Sequence, residues 1–272
     1  MSSFIAGVHA EFTKLLTTRM WWLLAIILFV YIALIAGGLG ALFGGVGSDA
    51  LRGGRPGAPA LGALAPLIYS FATSVGYVFP VLLGALSTTG EFRHQTLTPT
   101  FLANPRRGQV LGAKSLSTVL VGAFYGVVAL AASVGVGAIV LSAFGQNAML
   151  GEGSTWALIA RAVLAMALWA LIGVGLGTLV PNQVATIVIV LAFTQFVEPL
   201  LRLATSFSEP TAAVGKFLPG SASDALVGAS FFTISTPGAG VLEWWQGGLV
   251  LLAYAAAFTV GGYFVSWRRD VT

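Results

Sequence analysis

Six long apolar runs decide what this chain can fold into. They lie at Trp21–Leu42, Leu61–Leu86, Ser115–Phe144, Trp156–Val180, Val184–Leu203 and Val241–Val265. Each has the roughly 20 mostly apolar residues that an α-helix needs to cross a bilayer. Charge is scarce to match, at 8% of residues, where soluble domains carry about 25%. The predicted fold is an all-α polytopic membrane protein, with residues 1–272 forming one transmembrane domain of six transmembrane helices. The third run is long for one crossing, so it tilts or begins outside the hydrocarbon. Only Pro181-Asn182-Gln183 separates the fourth and fifth, which predicts a tight helical hairpin. The first run exceeds the apolar stretch of a signal peptide and is not followed by a small-residue cleavage site, so it is expected to be retained.

Six crossings put both termini on one side. Lys14, Arg19, Arg93, Arg106, Arg107, Lys114, Arg268 and Arg269 lie on that side, with the acids Glu11, Glu91 and Asp270. The other side holds Arg52, Arg55, Arg161, Arg202 and Lys216 against Asp49, Glu152, Glu198, Glu209, Asp224 and Glu243. Eight bases against five place the termini in the cytoplasm. Residues 88–114 are then the one large cytoplasmic loop.

Outside the spans, Phe4, Ile5, Val8, Phe12, Leu15 and Leu16 recur at helical spacing, with His9, Glu11, Lys14 and Thr18 opposite. This predicts an amphipathic helix over residues 3–19, lying in the interface. It serves either as a surface anchor or as a contact with a partner. Glu11 and Lys14 are spaced to pair on its wet face. Residues 44–60 read as a Gly/Pro-rich loop. Residues 204–240 are divided by Pro210, Pro219-Gly220 and Pro237-Gly238, which predicts short external helices, a cap or a gate. Ser221 and Asp224 have capping-box spacing there.

Several chemistries are excluded or disfavoured. There is no cysteine, so thiol catalysis and thiolate metal sites are out. His9 and His94 are far apart in sequence. The nearest approach to a nucleotide-binding loop, Gly108-Gln-Val-Leu-Gly112-Ala113-Lys114-Ser115, has Ala113 where a glycine must precede the lysine. No catalytic constellation stands out, and no cofactor is expected in this chain. The pairs Gly40/Gly44, Gly122/Gly126 and Gly173/Gly177 read as helix-packing positions. Glu198 and Arg202, four apart near the outer end of the fifth span, can pair as a structural unit or belong to a transport path. Arg161 lies near an outer end as well. The aromatics Tyr31, Phe71, Tyr77, Phe79, Phe193 and Phe196 can line a lipophilic path, face lipid or fill helix contacts.

Two motif groups remain. One is Glu11-Phe-Thr-Lys14 with Thr18-Arg19 before the first span. The other is Glu91-Phe92-Arg93-His94-Gln95-Thr96-Leu97, then Asn104-Pro105-Arg106-Arg107, then Lys114. Their order around six spans resembles the membrane subunits of type-2 ABC exporters, whose patterns are similar to E-x-x-K…R and to E-[YF]-R-x-G-T…P-x-R…K. Gln95 stands where that family often has glycine. Leu218-Pro219-Gly220 also looks like the family's segment before its last span. The resemblance implies a coupling helix within residues 91–107 that engages a separate ATPase subunit carrying ATP and Mg. Glu91, Phe92, Arg93, Thr96, Leu97, Phe101, Pro105, Arg106 and Arg107 would contribute to it, with Phe92, Leu97, Phe101 and Leu102 as apolar anchors. A second permease copy, identical or not, would complete the translocation path. The implied cargo is a lipophilic drug, antibiotic, lipid or peptide, as in multidrug efflux. The implied location is a bacterial plasma membrane, and no nucleic-acid partner is expected. A self-contained secondary transporter is the alternative, although no repeat relates the two halves. A membrane-embedded enzyme is the third reading.

Overall fold

The computed structural model describes residues 3–45, 64–205, 209–230 and 242–268. Most of the expected 44–60 loop, the Pro237-Gly238 break, Arg269 and Asp270 lie outside them. All regular structure among the described residues is helical. Six helical segments are long and apolar enough to cross a membrane: Met20–Gly44, Leu64–Arg93, Arg107–Ala143, Gly153–Leu179, Gln183–Thr205 and Trp244–Trp267. We number them first to sixth span.

The spans run further than their apolar cores. The second continues to Arg93, and the third begins at Arg107 rather than at Ser115. What connects them is short: a turn, one helix at Leu97–Ala103 (the loop helix), and an extended link through Pro105. Helix propagates through Lys114 because its ammonium is neutralised inside the protein, as described below. The second span is interrupted between Ser74 and Val78. Pro80 falls in the first turn of its resumed half, where a missing N–H costs no helical bond. The hairpin between the fourth and fifth spans forms as expected. Asn182 accepts the Ala185 N–H at 3.0 Å as a cap, and the Thr186 hydroxyl donates to the Val180 carbonyl at 2.6 Å.

The fourth span is the centre of the bundle, packed against the second, third and sixth. Close approach depends on glycine. A Cβ on Gly84 would strike the Ala170 carbonyl, and one on Gly173 the Val81 carbonyl. Each expected glycine pair lies in a helix contact: Gly122 and Gly126 on the fourth span, Gly173 and Gly177 on the second, Gly40 on Val140 of the third and Gly44 on Phe144 just past its end. Burial falls from 72% of the apolar window in the second span to 17% in the sixth. The exposed faces of the first, fifth and sixth spans are apolar, with Leu34, Phe196 and Leu249 projecting outward.

The N-terminal helix, Ser3–Thr17, packs on the third span. At the opposite end of the bundle lie short helices at Glu209–Gly215 and Pro219–Val227 (the cap helix). The expected capping box is not formed. Pro219 starts the cap helix without a side-chain cap, and Asp224 turns inward toward Arg202 instead. An inward carboxylate gains a charged partner that a solvent-facing cap position does not offer.

A candidate coupling site at the loop helix

The motif residues converge on the end of the bundle that carries the N-terminal helix. Glu11 and Lys14 come from that helix, Glu91 from the last turn of the second span, and Lys114 from the third turn of the third. They alternate in a closed ring. Lys14 Nζ lies 2.6 Å from Glu11 Oε1 and 2.9 Å from Glu91 Oε1. Lys114 Nζ lies 2.5 Å from Glu11 Oε2 and 3.3 Å from Glu91 Oε1. Glu11, Glu91 and Lys114 are 4%, 7% and 3% exposed. The expected Glu11–Lys14 pair therefore forms, but Glu11 faces the bundle and not water. Burying Glu11 opposes its charge, yet Lys114 and Lys14 outweigh that and hold its carboxyl below its ordinary value. Lys14 is held above its ordinary value: partial burial opposes the charge, but its bond to Glu11 and the Glu91 charge prevail. Two acids and two bases balance, which is what allows four charges to share a mostly dry site.

Lys14 also reaches the loop helix. Its Nζ stands 3.4 Å from Thr100 Oγ1. Lys114 Nζ stands 3.4 Å from the Ser87 carbonyl, and the Ser117 hydroxyl donates to the Val8 carbonyl at 3.0 Å. The ring thus binds the N-terminal helix, the second and third spans, and the loop helix into one unit.

A second attachment holds the other side of the loop helix. Trp267, fully buried in the π-helical last turn of the sixth span, meets Phe92 edge-on at 5.9 Å and Phe101 at 5.6 Å. Its indole N–H donates to the Arg107 carbonyl at 3.0 Å. The Arg107 guanidinium sits 4.9 Å over the Phe101 ring and donates to the Arg268 carbonyl at 2.7 Å. Leu97, Val110, Leu111 and Val174 fill the space beneath.

The four expected apolar anchors divide between two sides of the loop helix. Phe92, Leu97 and Phe101 face the bundle, because Trp267 offers them a buried apolar surface. The outward face carries Arg93, His94, Thr96, Thr98, Pro99, Leu102, Pro105 and Arg106. Leu102 is 82% exposed and is the apolar side chain that projects from this face. Arg93 spans to the interhelical hairpin, donating to Gln183 Oε1 at 3.3 Å. Around this face the exposed ionised side chains among the described residues are basic (Lys14, Arg19, Arg93, Arg106, Arg268), since Glu11 and Glu91 are both buried.

Gln95 makes the turn into the loop helix with φ 55°. It adopts the left-handed conformation that glycine takes freely, so the glutamine leaves the bend in place and adds strain of about 1–2 kcal/mol. Gln95→Gly is therefore expected to be neutral or to raise stability by up to about 1 kcal/mol, read as an unchanged or higher melting temperature.

The expected path residues separate into two groups. Tyr31 meets Phe79 at 6.2 Å. Near them Phe71 lines an open groove of about 490 Å3 with Leu34, Ile35, Gly38, Leu39 and Leu42. Tyr77 instead stacks on Trp169 at 4.4 Å, and its hydroxyl donates to the Thr194 carbonyl at 3.3 Å. Phe193 is half-buried and Phe196 points outward. Glu198 and Arg202 do pair, at 3.2 Å, and Asp224 joins them at 2.7 Å from Arg202. Arg161 lies apart from that pair, 4.8 Å over the Trp244 ring.

Trp267 and the third member of the outer cluster, Asp224, are the residues that motif reading misses. A tryptophan at a span end reads as an interface anchor, and Asp224 as a cap. No candidate metal cluster occurs among the described residues. No family model and no curated protein matches the chain.

Proposed function

We propose that the chain is the permease subunit of an ATP-driven ABC exporter. It works with a second permease copy and with separate ATPase subunits that bind ATP and Mg at its cytoplasmic end. The observation that carries this reading is the mounting of the loop helix. Glu11, Lys14, Glu91 and Lys114 are scattered over more than one hundred positions of sequence, yet they meet in one ring beneath it. A loop serving only to orient the chain in lipid needs cations, not a balanced buried ring and a Trp267 clamp. An ATPase that moves this helix would move the N-terminal helix and three spans with it. A lipophilic drug, antibiotic, lipid or peptide suits the apolar faces between two such subunits.

The proposal predicts an ATPase with Walker motifs in a neighbouring reading frame, and co-purification with it is the test. The double variant Leu102→Asp, Arg106→Glu puts charge on the exposed knob and reverses one flank, leaving the ring and the clamp untouched. Loss of a hot-spot contact worth about 2 kcal/mol weakens association roughly 30-fold. The expected result is loss of the ATPase from the purified complex at unchanged melting temperature. Retention of the ATPase with full substrate-stimulated turnover overturns the assignment. The ion-coupled alternative draws on the buried charges at the opposite end, and transport by the chain alone in liposomes without ATP would establish it instead.

A further inference from the structure

The Glu198–Arg202–Asp224 cluster, at the end of the bundle away from the loop helix, does not balance. It holds two carboxyls and one guanidinium. Glu198 is 1% exposed and Asp224 4%, and the Arg202 side chain is 13% exposed. The groups facing it come from four elements. Ser74 and Tyr77 approach from the second span, Glu198 and Arg202 from the fifth, Asp224 and the Gly220 N–H from the cap helix, and Ser230 from just beyond it. Tyr254 of the sixth span is the next ionisable group, and its hydroxyl is engaged with the Phe217 carbonyl. Arg161 is held over Trp244. Among the described residues, Arg202 is the one cation bonded to either acid.

The hydrogen bonds divide unequally between the two acids. Asp224 has the closer ion pair, 2.7 Å to Arg202 Nη1, and accepts from Ser74 at 3.3 Å and from Ser230. Glu198 stands 3.2–3.3 Å from Arg202, and every donor it has aims at one oxygen. Arg202 Nε, Arg202 Nη2 and the Gly220 N–H all point to Oε1. Oε2 is buried and has no partner. An ionised carboxylate spreads its charge over both oxygens, and a buried charged oxygen without a donor is strongly disfavoured. Glu91 Oε2 is likewise buried without a partner, but its ring sets two lysines against two acids, whereas Glu198 and Asp224 share one guanidinium, so a proton on Glu198 Oε2 would remove the charge that nothing here compensates.

The cap helix closes on the Oε1 side of the carboxyl: a Cβ on Gly220 would strike both Arg202 and Glu198. The π-helical turn Phe193–Val197 immediately precedes Glu198. Such turns shift helical phase and recur at functional positions. Here Phe196 is left outside while Glu198 faces inward.

We propose that this cluster is a proton-binding site, with one proton taken from the solution at that end of the bundle and held on Glu198 Oε2. The bond formed is O–H on the carboxyl, and the Arg202–Asp224 ion pair is unchanged. The site becomes neutral overall, matching the balanced ring at the other end. Its proton neutralises the joint between the fifth span and the cap helix. This inference does not rest on the exporter reading.

Infrared spectroscopy of the purified full-length chain in detergent at neutral pH tests it. The expected result is a carboxylic-acid C=O band that shifts when the chain is labelled with 13C-glutamate and is lost in Glu198→Gln. Glutamine keeps Oε1 as an acceptor, so that variant is expected to fold. If it does not, Glu198→Asp keeps a carboxyl at the site, and in that variant the band is expected to move from the 13C-glutamate to the 13C-aspartate label. Absence of the band overturns the proposal. So does a wild-type band that shifts with 13C-aspartate and not with 13C-glutamate, or one that survives in folded Glu198→Gln.

Discussion

Lys114→Met is expected to cost about 3–5 kcal/mol of stability, because it leaves two buried carboxylates sharing one lysine. Methionine replaces the apolar stem and removes the charge. Glu11 Oε2 then loses its partner at 2.5 Å, and Glu91 Oε1 keeps only Lys14. Lys14 is 44% exposed in its side chain, so solvent screens what it can supply. Thermal unfolding in detergent, followed by tryptophan fluorescence, should show a fall of roughly 10 °C or more. Glu11→Gln combined with Lys114→Met restores the balance of one acid and one base, and should recover most of the loss. A melting temperature for Lys114→Met within a degree or two of wild type would mean that the ring does not hold this end together.

The ring also has a defined pH window. Glu11 is held below its ordinary value of 4.5, so its contribution is present above that value and is lost as pH falls through the lower folded value. Lys14 is held above 10.5, so its contribution is present below that value and is lost as pH rises through the higher folded one. Neither titrates near neutrality. Asp224 behaves differently: enclosure raises its carboxyl above the ordinary value against the pull of Arg202 and two serines. Its contribution to stability declines as pH rises through that raised value.

The membrane fold was legible because lipid imposes a length and a composition that few other constraints can mimic. The ends of the spans were not. Residues 107–114 carry Arg107 and Lys114, and by hydropathy they belong to a loop, yet they form the first turns of the third span. Nothing local announces that Glu11, about one hundred positions earlier, neutralises Lys114. The ring was half legible: its four residues stood out as motifs by resemblance, while their meeting is a property of packing. For Phe92 and Phe101 the outcome turned on a distant residue. An aromatic on a polar loop can anchor a partner or fill a cavity, and the choice was made by Trp267 at the other end of the chain. Likewise, Asp224 three residues after Ser221 reads as a cap until Arg202 is known to lie beneath it. Local spacing describes what a side chain can do with its neighbours, whereas a buried charge is placed by whichever opposite charge the fold brings to it.

Trp267→Ala separates holding the loop helix from binding at its surface. Removing a buried tryptophan costs about 3–5 kcal/mol where the site cannot collapse. Here it also unmakes the 3.0 Å bond to the Arg107 carbonyl and the two edge-on aromatic contacts. The loss is directed: it frees the loop helix from the sixth span while the charged ring still ties it to the second and third. Backbone amides of residues 97–103 should exchange with solvent at least about tenfold faster, the change expected when a local opening becomes easier by about 1.4 kcal/mol. Amides at the centre of the fourth span should change much less. Leu102 and Arg106 stay on the surface, so under the exporter proposal the ATPase still co-purifies, while substrate-stimulated turnover falls because the helix no longer drives the sixth span. That outcome is the reverse of the one for Leu102→Asp, Arg106→Glu, in which binding itself is lost. Trp267→Phe keeps most of the ring packing without the indole donor and should fall between the two. Unchanged exchange at residues 97–103 in Trp267→Ala would show that the ring alone positions the loop helix, and would leave the sixth span outside the coupling path.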